Sequence, residues 1–341
     1  MTIEMGESSG KIGNRRMRSM ATIVLVHGIG QEQEAADTLE AEWVPALAGG
    51  VRTAGYIAIA DRIQHDRTSK DKIDARMAFY GALYLEAGQQ GSDPGEFGAQ
   101  EGVMAEELAV QWLERAAAQA SRPNEQAAAV RELAYVRQEV GAEEAGLGAL
   151  KRSAIKGVAR LRWFAPYGMG FAERFVNKAL AQVTRYFTDE RIREAAQRSV
   201  LNLIDPETRI VIGHSLGSVI AYEAVMRLDQ PLPLLITLGS PLGLDTLIYP
   251  KLRPQPPFFP PNVKRWVNVA DRDDFIAAEP DLTSMFSTGI PSGAVFEGDR
   301  TVDCGAEPHR ARFYLTKALV GGPVGETLGK SLKSSDAQPA R

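Results

Sequence analysis

A serine able to act as a nucleophile stands at position 215, inside the glycine-flanked sequence Gly-His-Ser-Leu-Gly over residues 213–217. The apolar run 210–212 predicts a strand directly before this turn, and the apolar spacing over 216–228 predicts a helix directly after it. A serine in such a turn is lifted above the sheet, where its hydroxyl can attack a carbonyl carbon. Glycines suit both ends of the turn, since a Cβ there would clash where strand and helix pass closely. The alternative is an ordinary glycine-rich turn that contains a serine, because the five-residue pattern alone is weak evidence.

A serine hydroxyl needs a general base, for which histidine is the usual residue. The chain has four histidines, namely His27, His65, His214 and His309. In serine hydrolases with this turn the base follows the nucleophile along the chain, and only His309 does so. His214 is adjacent to the serine, points the other way along the turn and is predicted to be structural. The sequence therefore predicts His309 as the base, with an ordinary surface-loop histidine as the alternative.

The acid that orients the base is expected in a loop after a strand between Ser215 and His309. Residues 264–269 predict that strand, and three aspartates follow it at Asp271, Asp273 and Asp274. Asp274 is favoured because an apolar residue follows it two positions later, the usual setting of this acid. Asp271 and Asp273 remain the alternatives.

Acyl transfer also requires backbone donors for the negative oxygen that develops in the transition state. The N–H of Leu216, at the start of the predicted helix, supplies one. The second is expected from the glycine-rich turn over 27–30, after the first strand. We favour the N–H of Ile29 there, with that of Gly30 as the alternative, and a simple turn without this role as the competing interpretation.

The elements that must position these residues alternate between strand and helix. Strands are predicted over 22–26 and over 234–238, and a helix over 33–47. The segment 73–84 predicts a further strand, with a turn at Gly81. The strands are nearly continuous apolar runs, which is typical of a parallel sheet covered by helices on both faces. The sequence thus predicts an α/β protein with a mostly parallel sheet flanked by helices.

The middle of the chain does not fit this alternation. Residues 101–144 predict a helical hairpin broken at 122–124, and residues 152–186 are mostly helical with an interruption at 165–168. We predict a helical cap inserted over 86–187 into a core formed by 21–85 and 188–325, with a separate helical domain as the alternative. Residues 1–20 and 326–341 are predicted to be flexible terminal segments.

Composition and net charge limit the possible functions of the protein further. The net charge of −4 over 341 residues offers no general basis for binding nucleic acid. The single cysteine, Cys304, excludes a disulfide within the chain and any cysteine-cluster metal site. The polar, basic first 20 residues lack the apolar stretch of a secretory signal, so a cytoplasmic location is expected.

Five segments together resemble the α/β-hydrolase superfamily, and within it lipase-like and esterase-like serine hydrolases. They are VHGIG at 26–30, IVIGHSLGSVIAYE at 210–223, TLGSPLG at 237–243, WVNVADRDDFIA at 266–277, and the loop of His309. The resemblance implies the α/β-hydrolase fold, a triad of Ser215, Asp274 and His309, and no metal or organic cofactor. It also implies hydrolysis of a carboxylic ester through an acyl-enzyme, with lipid-like esters favoured. Alternatives are an amidase or thioesterase with the same triad, or a catalytically silent binding protein.

Charge is divided unevenly within the predicted insertion. Residues 86–144 carry 12 acidic and 4 basic side chains, whereas residues 151–187 carry 8 basic and 1 acidic. The basic part also contains large apolar side chains, at Trp163, Phe164, Tyr167, Met169, Phe171 and Phe175. Such a segment can contact an anionic membrane surface, as in a phospholipase regulated by its cap. The interpretation we favour is that this basic segment pairs with the acidic hairpin.

Overall fold

Six strands form one sheet in the computed structural model, which describes residues 21–64, 72–85, 99–141, 154–161, 169–277 and 279–336. The strands are β1 (Ile23–Val26), β2 (Ala75–Ala78), β3 (Ile210–His214), β4 (Leu234–Leu238), β5 (Arg265–Asp271) and β6 (Val295–Val302). Their order across the sheet is β2-β1-β3-β4-β5-β6, and every neighbouring pair is parallel. The predicted α/β class with a parallel sheet is confirmed, and β3 lies inside the sheet.

The helices connect these strands and cover the sheet. In chain order they are α1 (Ala36–Thr53), α2 (Ile57–Gln64), α3 (Ala99–Gln119), α4 (Pro123–Gly141), α5 (154–159), α6 (Met169–Thr188), α7 (Glu190–Leu201), α8 (Leu216–Val225), α9 (Thr283–Phe286), α10 (Ala311–Leu315) and α11 (Ala318–Asp336). No helix among the described residues combines the length and apolarity needed to cross a bilayer.

Alternate strand residues face two separate hydrophobic cores, as the pleat of a strand requires. In β1, Ile23 and Leu25 pack into the core beneath α1, α2, α10 and α11. Val24 and Val26 pack into the other core, which α3, α6, α7 and α8 cover. Both faces of β1, β3 and β4 are therefore buried, which explains why these strands are nearly continuous apolar runs.

The predicted helical hairpin is confirmed as α3 and α4. They are separated by residues 120–122, and Pro123 is the first residue of α4, where a proline needs no backbone N–H. Helix α3 also packs against α6, so the hairpin is joined to the helix that leads back to the core. The interruption predicted at 165–168 lies outside the described residues.

The C-terminal segment differs from the prediction. We predicted a flexible tail from residue 326, but α11 continues to Asp336 and packs against α1 and α2. Leu328 is buried in this contact, which explains why the helix does not end at residue 325. Residues 1–20 and 337–341, also predicted to be flexible, lie outside the described residues.

Candidate active site

Ser215 occupies a strained turn between the end of β3 and the start of α8. Its backbone angles are φ 54° and ψ −131°, and among the described residues it is the one non-glycine with positive φ. Its N–H donates to the carbonyl oxygen of Leu238 at 2.9 Å, which fixes the turn to the end of β4. Such a conformation costs on the order of 1–3 kcal/mol and persists where the surrounding structure enforces it, most often at functional sites.

Three glycines make this turn sterically feasible. A Cβ at Gly213 would lie 2.6 Å from the carbonyl oxygen of Gly217, and one at Gly217 would overlap the carbonyl oxygen of His27. This close passage of strand and helix agrees with the sequence prediction for both residues. A Cβ at Gly28 would lie 2.7 Å from the Cβ of Ser215, so the turn after β1 also approaches the serine directly. Sequence reasoning missed this role of Gly28.

His309 and Asp274 form a hydrogen-bonded pair. Nδ1 of His309 lies 2.9 Å from Oδ1 and 2.8 Å from Oδ2 of Asp274, whose side chain is fully buried. Because a carboxylate accepts and does not donate, Nδ1 carries the proton in this contact. In the neutral ring Nε2 is therefore the basic nitrogen, which is the tautomer a general base requires.

The carboxylate of Asp274 is held by further donors. The hydroxyl of Tyr314 donates to Oδ2 at 2.8 Å, and the N–H groups of Ile276 and Ala277 approach Oδ1 at 3.2 and 3.3 Å. Burial, followed by the nearby negative charge of Asp274, raises the pKa of Tyr314 well above its ordinary value, so the phenol remains a donor. Tyr314, which lies on α10 five residues after His309, was not predicted from the sequence.

The other two aspartates of this loop face different partners. Asp271 accepts from the backbone N–H of Asp273 at 2.9 Å and from that of Cys304 at 2.5 Å. Burial raises the pKa of Asp271. Asp273 accepts from the N–H and hydroxyl of Ser121, at 2.7 and 2.6 Å, at the end of the α3–α4 hairpin. Asp274 is thus the member of the three that the structure places against His309.

The serine turn and the His309–Asp274 pair meet at the carboxyl end of β4. A Cβ at Gly239 would lie 2.6 Å from Oδ2 of Asp274 and 3.3 Å from Nδ1 of His309. The residue before it, Leu238, is the one that accepts the N–H of Ser215. Parallel strands end at the same edge of a sheet, which is why residues from three separate loops come together here.

His214 connects the turn of Ser215 to the loop of His309. Its Nε2–H donates to the carbonyl oxygen of His309 at 2.8 Å, and the centroids of the two rings are 4.6 Å apart. Burial lowers the pKa of His214 well below its ordinary value, with the neighbouring His309 adding to the effect. The ring is therefore neutral and acts as a fixed donor, in agreement with its predicted structural role.

The turn over residues 27–30 is held by His27 and Tyr80. The ring of His27 donates from Nδ1 to the carbonyl oxygen of Gly28 at 2.7 Å and accepts the N–H of Tyr80 at Nε2, 3.1 Å away. The hydroxyl of Tyr80 donates back to the carbonyl oxygen of His27 at 2.6 Å. Burial lowers the pKa of His27 to about 4, so the ring is neutral at pH 7. Sequence reasoning located this turn but missed both supporting side chains.

The proposed oxyanion donors lie on either side of Ser215. Leu216 is the first residue of α8, where backbone N–H groups have no carbonyl partner within the helix. Ile29 lies in the turn that approaches Ser215 through Gly28. The N–H of Gly30, the alternative donor, points instead to Oε1 of Gln182 at 2.8 Å. Ile29 and Leu216 therefore remain the predicted pair.

Within the described residues, no group of three or more His, Cys, Asp or Glu side chains is arranged to hold a metal ion. Cys304 is a buried free thiol. No protein-family model, curated protein or solved structure matches the chain.

Proposed function

We propose that this protein is a serine hydrolase with the α/β-hydrolase fold. The observation that carries the proposal is the strained backbone of Ser215, maintained at a strand-to-helix junction beside the His309–Asp274 pair. The chain order of nucleophile, acid and base adds support, since it is the order expected for this class.

More particularly, the proposed reaction is hydrolysis of a carboxylic ester in two steps. The Oγ of Ser215 attacks the ester carbonyl while Nε2 of His309 takes its proton. The tetrahedral intermediate collapses when the protonated His309 gives this proton to the departing alkoxide, leaving an acyl group on Ser215. Water, deprotonated by the same histidine, then attacks the acyl-enzyme and releases the acid. Asp274 keeps the ring oriented and stabilises its protonated form.

Two backbone N–H groups, of Ile29 and Leu216, are proposed to bind the negative oxygen of both tetrahedral intermediates. Donors of this kind do not have to reorient during the reaction, and each contributes about 3–4 kcal/mol to transition-state stabilisation in related sites. Glycine at position 28 supports this proposal, because the close approach of its turn to Ser215 puts backbone N–H groups near the attacked carbonyl.

The proposed substrate is a lipid or lipid-like ester. Ser215 is only 2% exposed, so a substrate must leave water to reach it, which an apolar ester does at lower cost than a strongly hydrated one. Arg160 of the basic segment pairs with Glu132 of α4 at 2.9 Å, which supports pairing of this segment with the acidic hairpin. Most of its aromatic side chains lie outside the described residues, and membrane contact through 151–187 stays an alternative.

The test is labelling by a fluorophosphonate together with turnover of p-nitrophenyl esters of increasing chain length. We expect the protein to be labelled and to hydrolyse medium chains fastest, and Ser215→Ala to lose labelling and about 10⁴- to 10⁶-fold in kcat. Ser199→Ala, which removes a hydroxyl bonded only to its own helix, is the matched control and should leave both unchanged.

Absence of labelling in the wild-type protein would overturn the proposal in favour of a silent binding protein. Faster turnover of matched amides or thioesters would support the proposed triad and would identify that class, instead of esters, as the substrate.

A further inference from the structure

Gln182, a residue of the last helix of the insertion, reaches the turn that carries the proposed oxyanion donor Ile29. It lies on α6, is only 4% exposed, and contacts residues about 150 positions earlier in the chain. Nothing in the sequence pattern distinguishes it from the other polar residues of this helix. Its side chain makes two hydrogen bonds, and both go to the segment 30–32.

The two hydrogen bonds define the orientation of the Gln182 amide. Its Oε1 accepts the N–H of Gly30 at 2.8 Å, and its Nε2 donates to Oε2 of Glu32 at 2.6 Å. If the amide were flipped, its NH₂ group would face the N–H of Gly30 and its oxygen would face the carboxylate of Glu32. One orientation alone therefore satisfies both contacts. Lys178, one turn earlier on α6, pairs with the other oxygen of Glu32.

The geometry of the peptide units shows what this contact does to Ile29. The N–H of Ile29 belongs to the same planar unit as the carbonyl of Gly28, which accepts Nδ1–H of His27. The next unit contains the N–H of Gly30, which Gln182 holds. Ile29 thus stands between two anchored peptide planes, one held from the core and one held from the insertion.

We propose that Gln182 is a positioning residue that holds the turn around Ile29, and thereby keeps the Ile29 N–H, whose own peptide plane His27 anchors, directed toward the developing oxyanion. Without it, the plane that follows Ile29 keeps only the longer hydrogen bond that its carbonyl oxygen accepts from Nε2 of Gln31 at 3.3 Å. This plane then rotates more easily, because Gly30 has the left-handed φ of 77° and no side chain to restrict it. This inference rests on the proposed function. It makes the insertion part of the assembly of the active site, since α6 supplies the second anchor.

Lys178 compensates the negative charge of Glu32. Glu32 is buried, and an unpaired carboxylate in the oxyanion turn would oppose the negative charge that forms on the substrate. Pairing with Lys178 compensates that charge while Gln182 uses the carboxylate as an anchor.

The test is Gln182→Leu, which preserves the bulk of the side chain and removes both hydrogen bonds. We expect kcat for the best p-nitrophenyl ester and the rate of fluorophosphonate labelling to fall together by about 10- to 100-fold. KM should stay within about 2-fold, because the lost interaction forms in the transition state. Gln182→Met, unbranched like glutamine, provides the same test if the leucine variant does not fold.

Gln197→Leu is the matched control. Gln197 is buried to the same degree and also donates to a buried glutamate, Glu223, at 2.7 Å, but on α7 in a network away from the site. It should lower the unfolding temperature and leave kcat near that of the wild-type protein.

The inference fails if a folded Gln182 variant keeps the wild-type kcat, or if it loses activity through KM alone. A wild-type protein that is not labelled at all would instead refute the proposed function, so the two failures are distinguishable.

Discussion

Three carboxylates stand within four residues, from the last residue of β5 into the loop that follows it. Their hydrogen-bond donors decide which one contacts His309. The side chain of Asp271, at the end of β5, accepts from the backbone N–H groups of Asp273 and Cys304. Asp273 faces the insertion through Ser121. Asp274 alone of the three combines contact with His309 and the hydroxyl of Tyr314. The roles of neighbouring, chemically identical residues thus follow from where each side chain points.

We predict that Asp274→Asn lowers kcat for ester hydrolysis by about 10⁴-fold, because an amide can impose the wrong tautomer on the base. Asp273→Asn is the paired control, since it alters only the contact with Ser121, and its kcat should stay close to wild type. Steady-state kinetics of both variants at pH 7–8 provides the measurement. Equal losses in the two variants would contradict the assignment of Asp274.

At the scale of elements, two glycines allow α1 and α11 to cross in close contact. A Cβ at Gly321 of α11 would overlap the backbone of Gly50 in α1, and one at Gly50 would overlap the carbonyl oxygen of Leu315. The neighbouring Gly49 has no atom within 4 Å of such a Cβ. The crossing fastens the C-terminal helix against the core face opposite the insertion.

Substitution by alanine should therefore change the free energy of unfolding in opposite directions at Gly49 and at Gly50. Gly49→Ala is expected to raise the free energy of unfolding by about 0.4–1 kcal/mol, because it lowers the backbone entropy of the unfolded chain. Gly50→Ala is expected to lower it by about 1–3 kcal/mol through overpacking. Urea denaturation at one pH measures both changes. Stabilisation by Gly50→Ala would show that α1 does not pass the backbone of residues 315–317 as closely as described.

At this same scale, the insertion contacts the turn after β1 and the loop after β5, which carry proposed site residues. Gln182 of α6 holds the turn after β1, and Ser121, between α3 and α4, holds Asp273 next to the proposed acid. Arg115 of α3 also pairs with Glu279 at 3.2 Å, just beyond that loop. A displacement of these helices would break contacts at both ends of the site, so the insertion and the loops that carry the proposed catalytic residues are structurally coupled.

For the molecule as a whole, buried neutral histidines tie stability to pH. The pKa of His27 is lowered by burial from 6.5 to about 4, and that of His214 is lowered well below its ordinary value for the same reason. In the window from pH 6.5 to 4 the unfolded chain binds a proton at position 27 that the folded protein excludes. Stability from this residue is therefore present above pH 6.5 and is lost as the pH falls toward 4.

We predict that the free energy of unfolding declines over this window, with His27 contributing up to about 3 kcal/mol of the decline. His27→Gln, which cannot be protonated, should be less stable at pH 7 and show a shallower dependence on pH. The raised pKa of Asp271 acts in the opposite direction in both proteins and cancels in the comparison. Denaturant titrations at half-unit pH intervals measure the difference, and identical slopes would refute a neutral buried His27.

The sequence predicted those parts of the fold in which a run of apolar residues, or a proline, indicates the local structure directly. Strand β4 has the predicted bounds, and the hairpin of α3 and α4 breaks at 120–122, within two residues of the predicted break at 122–124. Strand β6 was missed because its sequence, VFEGDRTV, lies at an edge and is mostly half-buried or exposed, so it has no apolar run. The helical part of 326–336 was missed because the burial of Leu328 in the core beneath α1 and α2 is a tertiary contact, which the sequence pattern alone does not reveal.

The sequence by itself determined the Ser215 turn, since strand, glycine, serine and helix are consecutive, and it singled out His309 as the sole downstream histidine. It left three aspartates open, and only the tertiary structure set Asp274 against His309. Tyr80, Tyr314 and Gln182 also emerged from the structure alone. The physical reason is that a hydrogen bond between distant residues depends on how parallel strands bring their loops to one edge, whereas a turn depends on its own neighbours.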